Sequence, residues 1–401
     1  MTEVSPADSR PTVSMKHGAE KRVLAGHPWA YSNEIEMDDA AKALPAGTLV
    51  TLQRADRRRL GVAMFNPHSL IAARILSRDP TIEINARFFE RRLQRALALR
   101  DRLIGAPYYR LAHAEADGLP GAVIDRFGDV VVAEINSAGI DRLADMLAEA
   151  IDTVLKPTTI LLRGEGSARK MEGLEPMNRF AKGALDGPIE LQENGVRFLA
   201  DLSGGQKTGW FYDQRDNRAL MARFAKERSF LDLYSYTGGF GIQAAAAGAK
   251  EVLCIDRSEP ALDLLKKAAN LNGVSGKLQA ERGEAFEVLE ALLGEKRRYD
   301  IVAVDPPAFV KSKKDFHVGG KAYRKLARLA CQSVEPGGLL FIASCSHNMP
   351  AGEFAQQVAR GVQEGGRQAR QLYATGAAPD HPVHPVLPES AYLKALVLQV
   401  E

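Results

Sequence analysis

The sequence is poor in cysteine: its 401 residues include only Cys254, Cys331 and Cys345, which lie far apart. An odd number at such spacing excludes a disulfide framework and a Cys-x-x-Cys zinc site. No apolar run approaches the roughly 18–20 residues that span a bilayer. The first ten residues also lack the basic and apolar regions of a secretory signal. We therefore expect a cytoplasmic protein with no membrane segment and no metal.

Two common nucleotide-binding motifs are also missing. No Gly-x-Gly-x-x-Gly follows the first strand predicted in the C-terminal half, and Lys207-Thr208 lacks the glycine spacing of a P-loop. A nicotinamide-dependent dehydrogenase is therefore a remote alternative, and a P-loop nucleotidase is not expected.

Net charge is only +3, but its distribution is uneven. Residues 1–100 hold 16 Lys and Arg against 11 Asp and Glu, whereas the remainder holds 37 against 39. A basic N-terminal part suits contact with nucleic acid, because phosphate neutralisation dominates that affinity. A solvated basic surface explains the same numbers, so charge alone leaves both interpretations open.

The hydropathy pattern divides the chain into three regions. Short alternating segments between residues 12 and 80 predict a small β-rich module. A helix follows at Ala86–Leu103, with arginines facing water and with Phe88, Phe89, Leu93, Leu97 and Leu103 on the buried face. The middle region predicts a hairpin at Phe127–Asp129, a helix at Asp141–Val154 and a strand at Thr159–Leu162. We expect domains over residues 1–82, 83–186 and 187–401.

From about Ile189 strands and helices alternate, which predicts an α/β doubly wound parallel sheet covered by helices. The predicted strands are Ser229–Tyr234, Glu251–Ile255, Tyr299–Val304 and Leu339–Ser344. Ligands bind at the carboxyl ends of such strands. The chemistry of the protein is therefore expected in the segments that follow them.

The first two strands end in a pattern suited to an adenosine-bearing cofactor. Asp232 precedes a loop that contains Gly238, and such glycines allow a ligand to approach the backbone. Asp256 ends the second strand, where a carboxylate can accept both hydrogen bonds of a ribose diol. Further along, Glu284 could accept from an adenine amino group beside Phe286, or it could be a solvated helix N-terminus.

The third strand of the set ends in Asp305-Pro306-Pro307-Ala308-Phe309. Two prolines fix an extended backbone after Asp305, and Phe309 offers a face on which a base can stack. The next strand ends at Cys345, where a thiol can act as a nucleophile. The other two cysteines are interpreted as core residues. A basic cluster follows the prolines and comprises Lys311, Lys313, Lys314, Lys321 and Arg324. It is either a solvated loop or, at the mouth of a cleft, a surface that guides phosphates.

Taken together, these motifs resemble the bacterial ribosomal RNA large-subunit methyltransferase I family, whose members methylate carbon 5 of cytosine with S-adenosylmethionine. The motifs that carry the resemblance are His27-Pro28-Trp29, Glu115–Gly121, Asp125–Gly128, Lys207–Gly209, Asp213–Arg215, Tyr236–Phe240, Asp305–Pro307, Ser344–Ser346 and Asp380–Val383. It implies an N-terminal PUA domain that binds RNA, a small middle α/β domain and a C-terminal class I methyltransferase with a Rossmann-like sheet. Ribosomal RNA is the implied partner, and a homodimer is compatible with the family.

The resemblance also implies roles for individual residues. The cofactor pocket would be lined by Phe211, Asp232, Tyr236, Gly238, Asp256, Arg257, Glu284, Ala285, Phe286 and Asp305. The substrate side would comprise Lys207, Asp213, Arg215, Pro306, Phe309, Lys311, Lys313 and Arg324. Cys345 matches the nucleophile of the family and Asp305 would hold the target ring. No second cysteine lies beside Asp305 to act as the base, and Glu389 is the candidate for that role.

Two alternatives stay open. An Asp-Pro-Pro loop also serves methylation of an exocyclic amine or a guanine nitrogen, which needs no thiol. A ribosome-assembly factor that binds RNA without turnover would retain the same fold.

Overall fold

The computed structural model describes residues 10–204 and 209–401. The chain groups into two compact units. The first consists of Met1–Asp186 and Asp380–Ser390, and the second of Gly187–Pro379 and Ala391–Glu401. The division into three domains stays a prediction.

The first unit contains two five-stranded sheets. The strands of one are β1 (Thr12–Ser14), β2 (Trp29–Ala30), β3 (Thr48–Gln53), β4 (Arg59–Phe65) and β5 (Ala73–Ser77), in the order β1-β3-β4-β5-β2. The strands of the other are β6 (Tyr108–His113), β7 (Ala122–Phe127), β8 (Val130–Ile135), β9 (Thr159–Gly164) and β10 (Met177–Lys182), in the order β10-β9-β8-β7-β6. The antiparallel pairing of β7 with β8 confirms the predicted hairpin.

The α-helices among the described residues of this unit are α1 (Lys21–Leu24), α2 (Asp39–Lys42), α3 (Ala86–Ile104), α4 (Ala138–Arg142), α5 (Ala144–Leu155) and α6 (Ser167–Met171). The helix predicted over residues 141–154 is thus two helices. They meet at Leu143, whose backbone angles (φ −105°, ψ 9°) interrupt the helix. The predicted helix at 86–103 is confirmed; the Asn85 side chain accepts from Phe88 N–H at its start, and Gly105 (φ 70°) follows its end.

One face of α3 differs from the prediction. Leu103 is 47% exposed, whereas Arg100 is fully buried. Arg100 makes two hydrogen bonds to the Asp117 carboxylate, at 2.6 and 2.7 Å, and a third to the carbonyl oxygen of Asp380. Its Nε also donates to Arg110 O at 2.9 Å, so each nitrogen of the guanidinium donates to an acceptor, which makes its burial tolerable. Helical periodicity carries no information about partners so far away in the sequence.

The second unit starts with a hairpin of β11 (Ile189–Glu193) and β12 (Val196–Ala200) and continues as a seven-stranded sheet. Its strands are β13 (Ser229–Leu233), β14 (Glu251–Asp256), β15 (Leu278–Arg282), β16 (Tyr299–Val304), β17 (Val334–Ser344), β18 (Ala369–Thr375) and β19 (Lys394–Val400). The order is β15-β14-β13-β16-β17-β19-β18. The first five strands in this order pair in parallel, as predicted, and β19 pairs antiparallel with both its neighbours.

In the second unit, outside residues 205–208, the α-helices are α7 (Arg215–Ala222), α8 (Gly239–Ala246), α9 (Glu259–Leu271), α10 (Ala285–Gly294), α11 (Phe316–Gln332) and α12 (Ala351–Glu364). Cys254 and Cys331 are buried, which confirms them as core residues. Over residues 10–204 and 209–401, no helix combines the length and apolar character needed to cross a membrane.

The buried pair of Arg100 and Asp117 generates a prediction about stability. Replacing Asp117 with Ala leaves a buried guanidinium without its carboxylate, and we expect the free energy of unfolding to fall by about 3–5 kcal/mol. Asp39→Ala, which removes the partner of the exposed Lys42, should cost less than about 1 kcal/mol. Urea denaturation of the full chain measures both. Equal effects of the two substitutions would contradict the structural role of this pair.

Candidate active site

A cavity of about 410 Å³ lies at the carboxyl ends of the central strands in the second unit. The segments that follow the five parallel strands, β13 to β17, all contribute to its wall. The predicted site residues that line it are Phe211, Asp213, Tyr236, Asp256, Arg257, Glu284, Ala285, Phe286, Asp305, Pro306, Phe309 and Cys345. The fold thus brings together the candidate nucleophile and most candidate cofactor residues.

The other predicted site residues do not line this cavity. Lys207 lies outside the described residues. Those described but absent from the wall are Arg215, Asp232, Gly238, Lys311, Lys313 and Arg324. Arg324 donates to Gln357 Oε1 at 2.9 Å and pairs with Glu364 at 3.4 Å, both on α12. This arginine therefore holds two helices together in the structure.

Asp232 and Gly238 do not line the cavity, but they stabilise the segments that do. The Asp232 carboxylate accepts from the backbone N–H of Gly241 at 2.8 Å, at the start of α8. Its complete burial raises its pKa to about 7, against the opposing effect of that hydrogen bond. A Cβ on Gly238 (φ 88°) would meet Leu265 at 2.6 Å, so this position requires glycine for packing as well as for backbone conformation.

The loop after β13 is held by Asp256. This carboxylate accepts from the backbone N–H groups of Tyr236 and Ser258 at 2.9 and 2.8 Å. Tyr234 and Tyr236 both have positive φ (63° and 49°), a conformation that is unfavourable for bulky residues. The hydrogen bond from Tyr236 therefore compensates a strained loop, and it orients Asp256 at the wall of the cavity.

Four buried polar atoms beside the cavity have no hydrogen-bond partner among residues 10–204 and 209–401. They are Ser235 Oγ, Thr237 Oγ1, Gln214 Nε2 and Arg218 Nε. Burying an unpaired polar group is costly, so such atoms at a cavity wall indicate a polar ligand. The two hydroxyls lie in the loop motif singled out from the sequence, but Arg218 was missed. It carries no local motif, because its importance comes from tertiary contacts.

Arg218 is held by a buried network. Its guanidinium donates to Glu193 at 2.8 Å, and the same carboxylate accepts from Trp210 Nε1 and Gln243 Nε2 at 3.0 Å each. The guanidinium also lies 4.4 Å from the Trp210 ring centroid. A fixed arginine at the wall can bind a carboxylate of a ligand.

Aromatic rings form the wall near Glu284, which immediately precedes α10. The Phe286 and Phe309 ring centroids are 6.3 Å apart, and Phe309 packs on Tyr323 at 4.8 Å. Rings held in this way offer faces for a planar base.

Cys345 is half-buried and stands between two anchored serines. Ser344 Oγ donates to the Tyr323 hydroxyl at 2.8 Å, and Ser346 Oγ lies 2.8 Å from the same hydroxyl. Ser346 Oγ also accepts from Val310 N–H in the loop after the two prolines. The backbone around the thiol is thereby fixed to α11 and to the Asp305 loop.

Lys394 lies beside this thiol and was missed in the sequence. It pairs with Ser344 across β17 and β19, and its Nζ donates to Ser346 O at 2.5 Å. Burial lowers the pKa of Lys394 to about 8, opposed by its interaction with Cys345. Only the register of β19 brings this lysine to the site.

Asp213 and Arg215 differ in position. The Asp213 carboxylate is buried at the wall and accepts from the Tyr392 hydroxyl, whose ring stacks on His347 at 5.2 Å. Arg215 begins α7, and its guanidinium lies over the Tyr212 ring at 5.3 Å. Lys311 and Lys313 are exposed on the loop that precedes α11.

Comparisons with known proteins agree with this architecture. Residues 180–399 match a family model of S-adenosylmethionine-dependent methyltransferases, and residues 13–78 match a PUA-like domain. The chain is 36% identical to ribosomal RNA large subunit methyltransferase I of Shewanella denitrificans, over 97% of this chain and 99% of the relative. The protein of the same name from Aeromonas salmonicida is also 36% identical, over 95% and 97%.

A similar fold occurs in the crystal structure of SMU.776 complexed with SAH. The TM-score is 0.82 at 22% identity, over 97% of this chain and 100% of that one. This likeness confirms the predicted architecture, in which a Rossmann-like methyltransferase fold follows a PUA-like domain. Identity over almost the full length of the curated relatives shows more: the chain belongs to the ribosomal RNA large subunit methyltransferase I family, whose cofactor is S-adenosylmethionine.

Proposed function

We propose that this enzyme methylates carbon 5 of a cytosine in large-subunit ribosomal RNA through a transient bond to Cys345. The observation that carries the proposal is that Cys345 and Asp305 line one cavity together with Asp256. The names of the curated relatives favour a ribosomal RNA substrate. The PUA-like segment at residues 13–78 favours contact with RNA. Cytoplasmic location and a homodimer stay predictions.

The cavity fits S-adenosylmethionine in its donor set. Asp256 would hold the ribose and Glu284 the adenine, while Ser235, Thr237 and Arg218 would take the charged amino-acid end. Asp305 and Asp256 both act on Asp232 as neighbouring negative charges, so this end of the sheet favours a cation. Bound there, the cofactor supplies an electrophilic methyl group on a sulfonium.

The residues of the chain supply the activation of the base. Carbon 5 of cytosine is a poor nucleophile, and addition of the Cys345 thiolate to carbon 6 makes it enamine-like. Asp305 would accept from the exocyclic amine and, as the carboxylic acid, would give its proton to nitrogen 3, which neutralises the negative charge that develops there as the thiolate adds. The same proton returns to Asp305 when the thiolate leaves. After carbon 5 has gained the methyl group, it loses its proton to a base, and the carbon 6–sulfur bond breaks to release the thiolate.

The base stays unassigned. Glu389 lies in a 3-10 turn, Pro388–Ser390, that groups with the first unit and does not line the cavity. The target nucleotide must leave its stack to reach the cavity.

A second candidate function rests on the Asp305-Pro306-Pro307 segment with Phe309 beside it. The same segment suits methylation of an exocyclic amine or a guanine nitrogen, without a thiol.

Cofactor binding can be tested at Asp256. We expect Asp256→Asn to weaken S-adenosylmethionine binding roughly ten- to hundredfold, because a charge-assisted hydrogen bond is lost. Isothermal titration calorimetry gives the Kd. Asp263→Asn, an exposed carboxylate on α9, is the control and should leave affinity unchanged. If Asp256→Asn bound S-adenosylmethionine with wild-type affinity, Asp256 would not be the residue that holds the ribose.

The reaction can be tested with ribosomal RNA and labelled S-adenosylmethionine. We expect wild type to give 5-methylcytosine and Cys345→Ala to give none, because no nucleophile activates carbon 5. Mass spectrometry identifies the labelled nucleoside. Cys331→Ala removes a core thiol that does not line the cavity, and it should still yield the same product.

Two further results separate the alternatives. RNA containing 5-fluorocytosine should form a denaturation-resistant adduct with wild type but not with Cys345→Ala. The reason is that a base cannot remove fluorine from carbon 5 as it removes a proton, so the carbon 6–sulfur bond does not break. A methylated amine or guanine, or full activity without Cys345, would replace the thiol mechanism by the second candidate. Cofactor binding by Cys345→Ala checks that this variant is folded.

The position of Lys394 beside Cys345 generates a prediction about the reactivity of the thiol. A cation beside a thiol favours the thiolate. We expect Lys394→Met to slow alkylation of Cys345 by iodoacetamide about three- to tenfold near pH 7, and Lys394→Arg to retain most of the rate. The other cysteines are buried, and Cys345→Ala gives the background rate. Equal rates in wild type and Lys394→Met would show that Lys394 does not act on the thiol.

A further inference from the structure

Helix α3 of the first unit presents a row of exposed arginines. Arg87, Arg91, Arg95 and Arg102 are all exposed and follow one another at intervals of four, four and seven residues. At about 100° per residue these positions fall on one face of the helix. A shallow depression on this face is lined by Arg91, Gln94, Arg95 and Ala98. These four arginines form the basic face of α3.

The basic face is not neutralised within the described part of the chain. Over residues 10–204 and 209–401, none of its four arginines makes a hydrogen bond or an ion pair. The two other arginines of α3 are engaged: Arg92 stacks on Phe88 at 4.2 Å, and Arg100 pairs with Asp117. The helix therefore separates structural arginines from unpaired ones.

The arrangement is unfavourable for the isolated protein. Like charges four residues apart on a helix repel one another. The effect reaches Arg92, whose pKa is lowered to about 10 by burial and, to a smaller extent, by the charges of Arg95 and Arg91. Of the two acids on α3, Asp101 accepts from the Tyr109 hydroxyl. An anionic partner would relieve this repulsion.

We propose that the basic face of α3 is an RNA-binding surface, additional to the PUA-like segment, that holds backbone phosphates of the substrate. This inference rests on the proposed function for its RNA substrate. Arginine suits the role because its planar fork matches phosphate and stays charged. Contacts of this kind position RNA without reading its sequence. The surface therefore contributes affinity and leaves selection of the target base to the cavity.

The test measures binding of the full-length protein to a large-subunit ribosomal RNA fragment over a range of salt concentrations. Arg91→Glu with Arg95→Glu should weaken binding at least tenfold near 100 mM salt. The slope of log K against log salt should become shallower by roughly 1.4–1.8, which corresponds to two phosphate contacts. The control, Lys267→Glu with Arg360→Glu, changes net charge equally at exposed sites on α9 and α12 and should retain near wild-type affinity and slope.

Two measurements separate this proposal from the proposed function. Cofactor affinity of the Arg91 and Arg95 variant should equal that of wild type, which shows an intact second unit. If this variant kept wild-type RNA affinity and slope, this proposal would be overturned while the proposed function would stand. The basic face would then be expected to bind an acidic protein partner. Failure of wild type to bind the RNA at all would overturn both proposals.

Discussion

Parallel pairing of β13 with β14 on one side and β16 on the other is the constraint on which the site depends. The strand order reverses at β13, so the connections leave toward opposite faces and open a crevice at the carboxyl ends. Asp256, Asp305 and Cys345 are widely spaced in the sequence, yet each follows a strand of this set. Their convergence needs no local motif, because the shared direction of the strands brings their ends together.

The charges of the site are consistent with that geometry. Carboxylates accumulate where the strands end, and burial makes it costly for Asp232 to stay ionised among them. Backbone N–H groups offset part of that cost at Asp232 and Asp256. Glu193 solves the same problem differently, since Arg218, Trp210 and Gln243 surround its carboxylate with donors. The remaining negative character of the crevice suits a cofactor that carries a sulfonium.

The sequence predicted those parts of the site that depend on local pattern. Short apolar runs that alternate with helical segments located the strands, and the residues just after them included Asp256, Asp305 and Cys345. It could not predict Lys394, whose place depends on the register of β19 against β17. Nor could it predict the burial of Arg100, because helical periodicity assigns charged residues to water unless a distant acid intervenes. The break at Leu143 was missed for a related reason, since its backbone angles are not evident from amphipathic spacing.

The path of the chain near Asp380 has a consequence for biosynthesis. Asp380–Ser390 belongs to the first unit, although nearly two hundred residues of the second precede it, and β19 then enters the sheet between β17 and β18. During translation the first unit therefore cannot be completed until Asp380 has been synthesised, because Asp380 accepts hydrogen bonds from Arg110 N–H and from the Arg100 side chain. The sheet likewise lacks an interior strand until the nascent chain has passed residue 400. Both units must be completed late, in contrast to the usual order in which the N-terminal domain folds first.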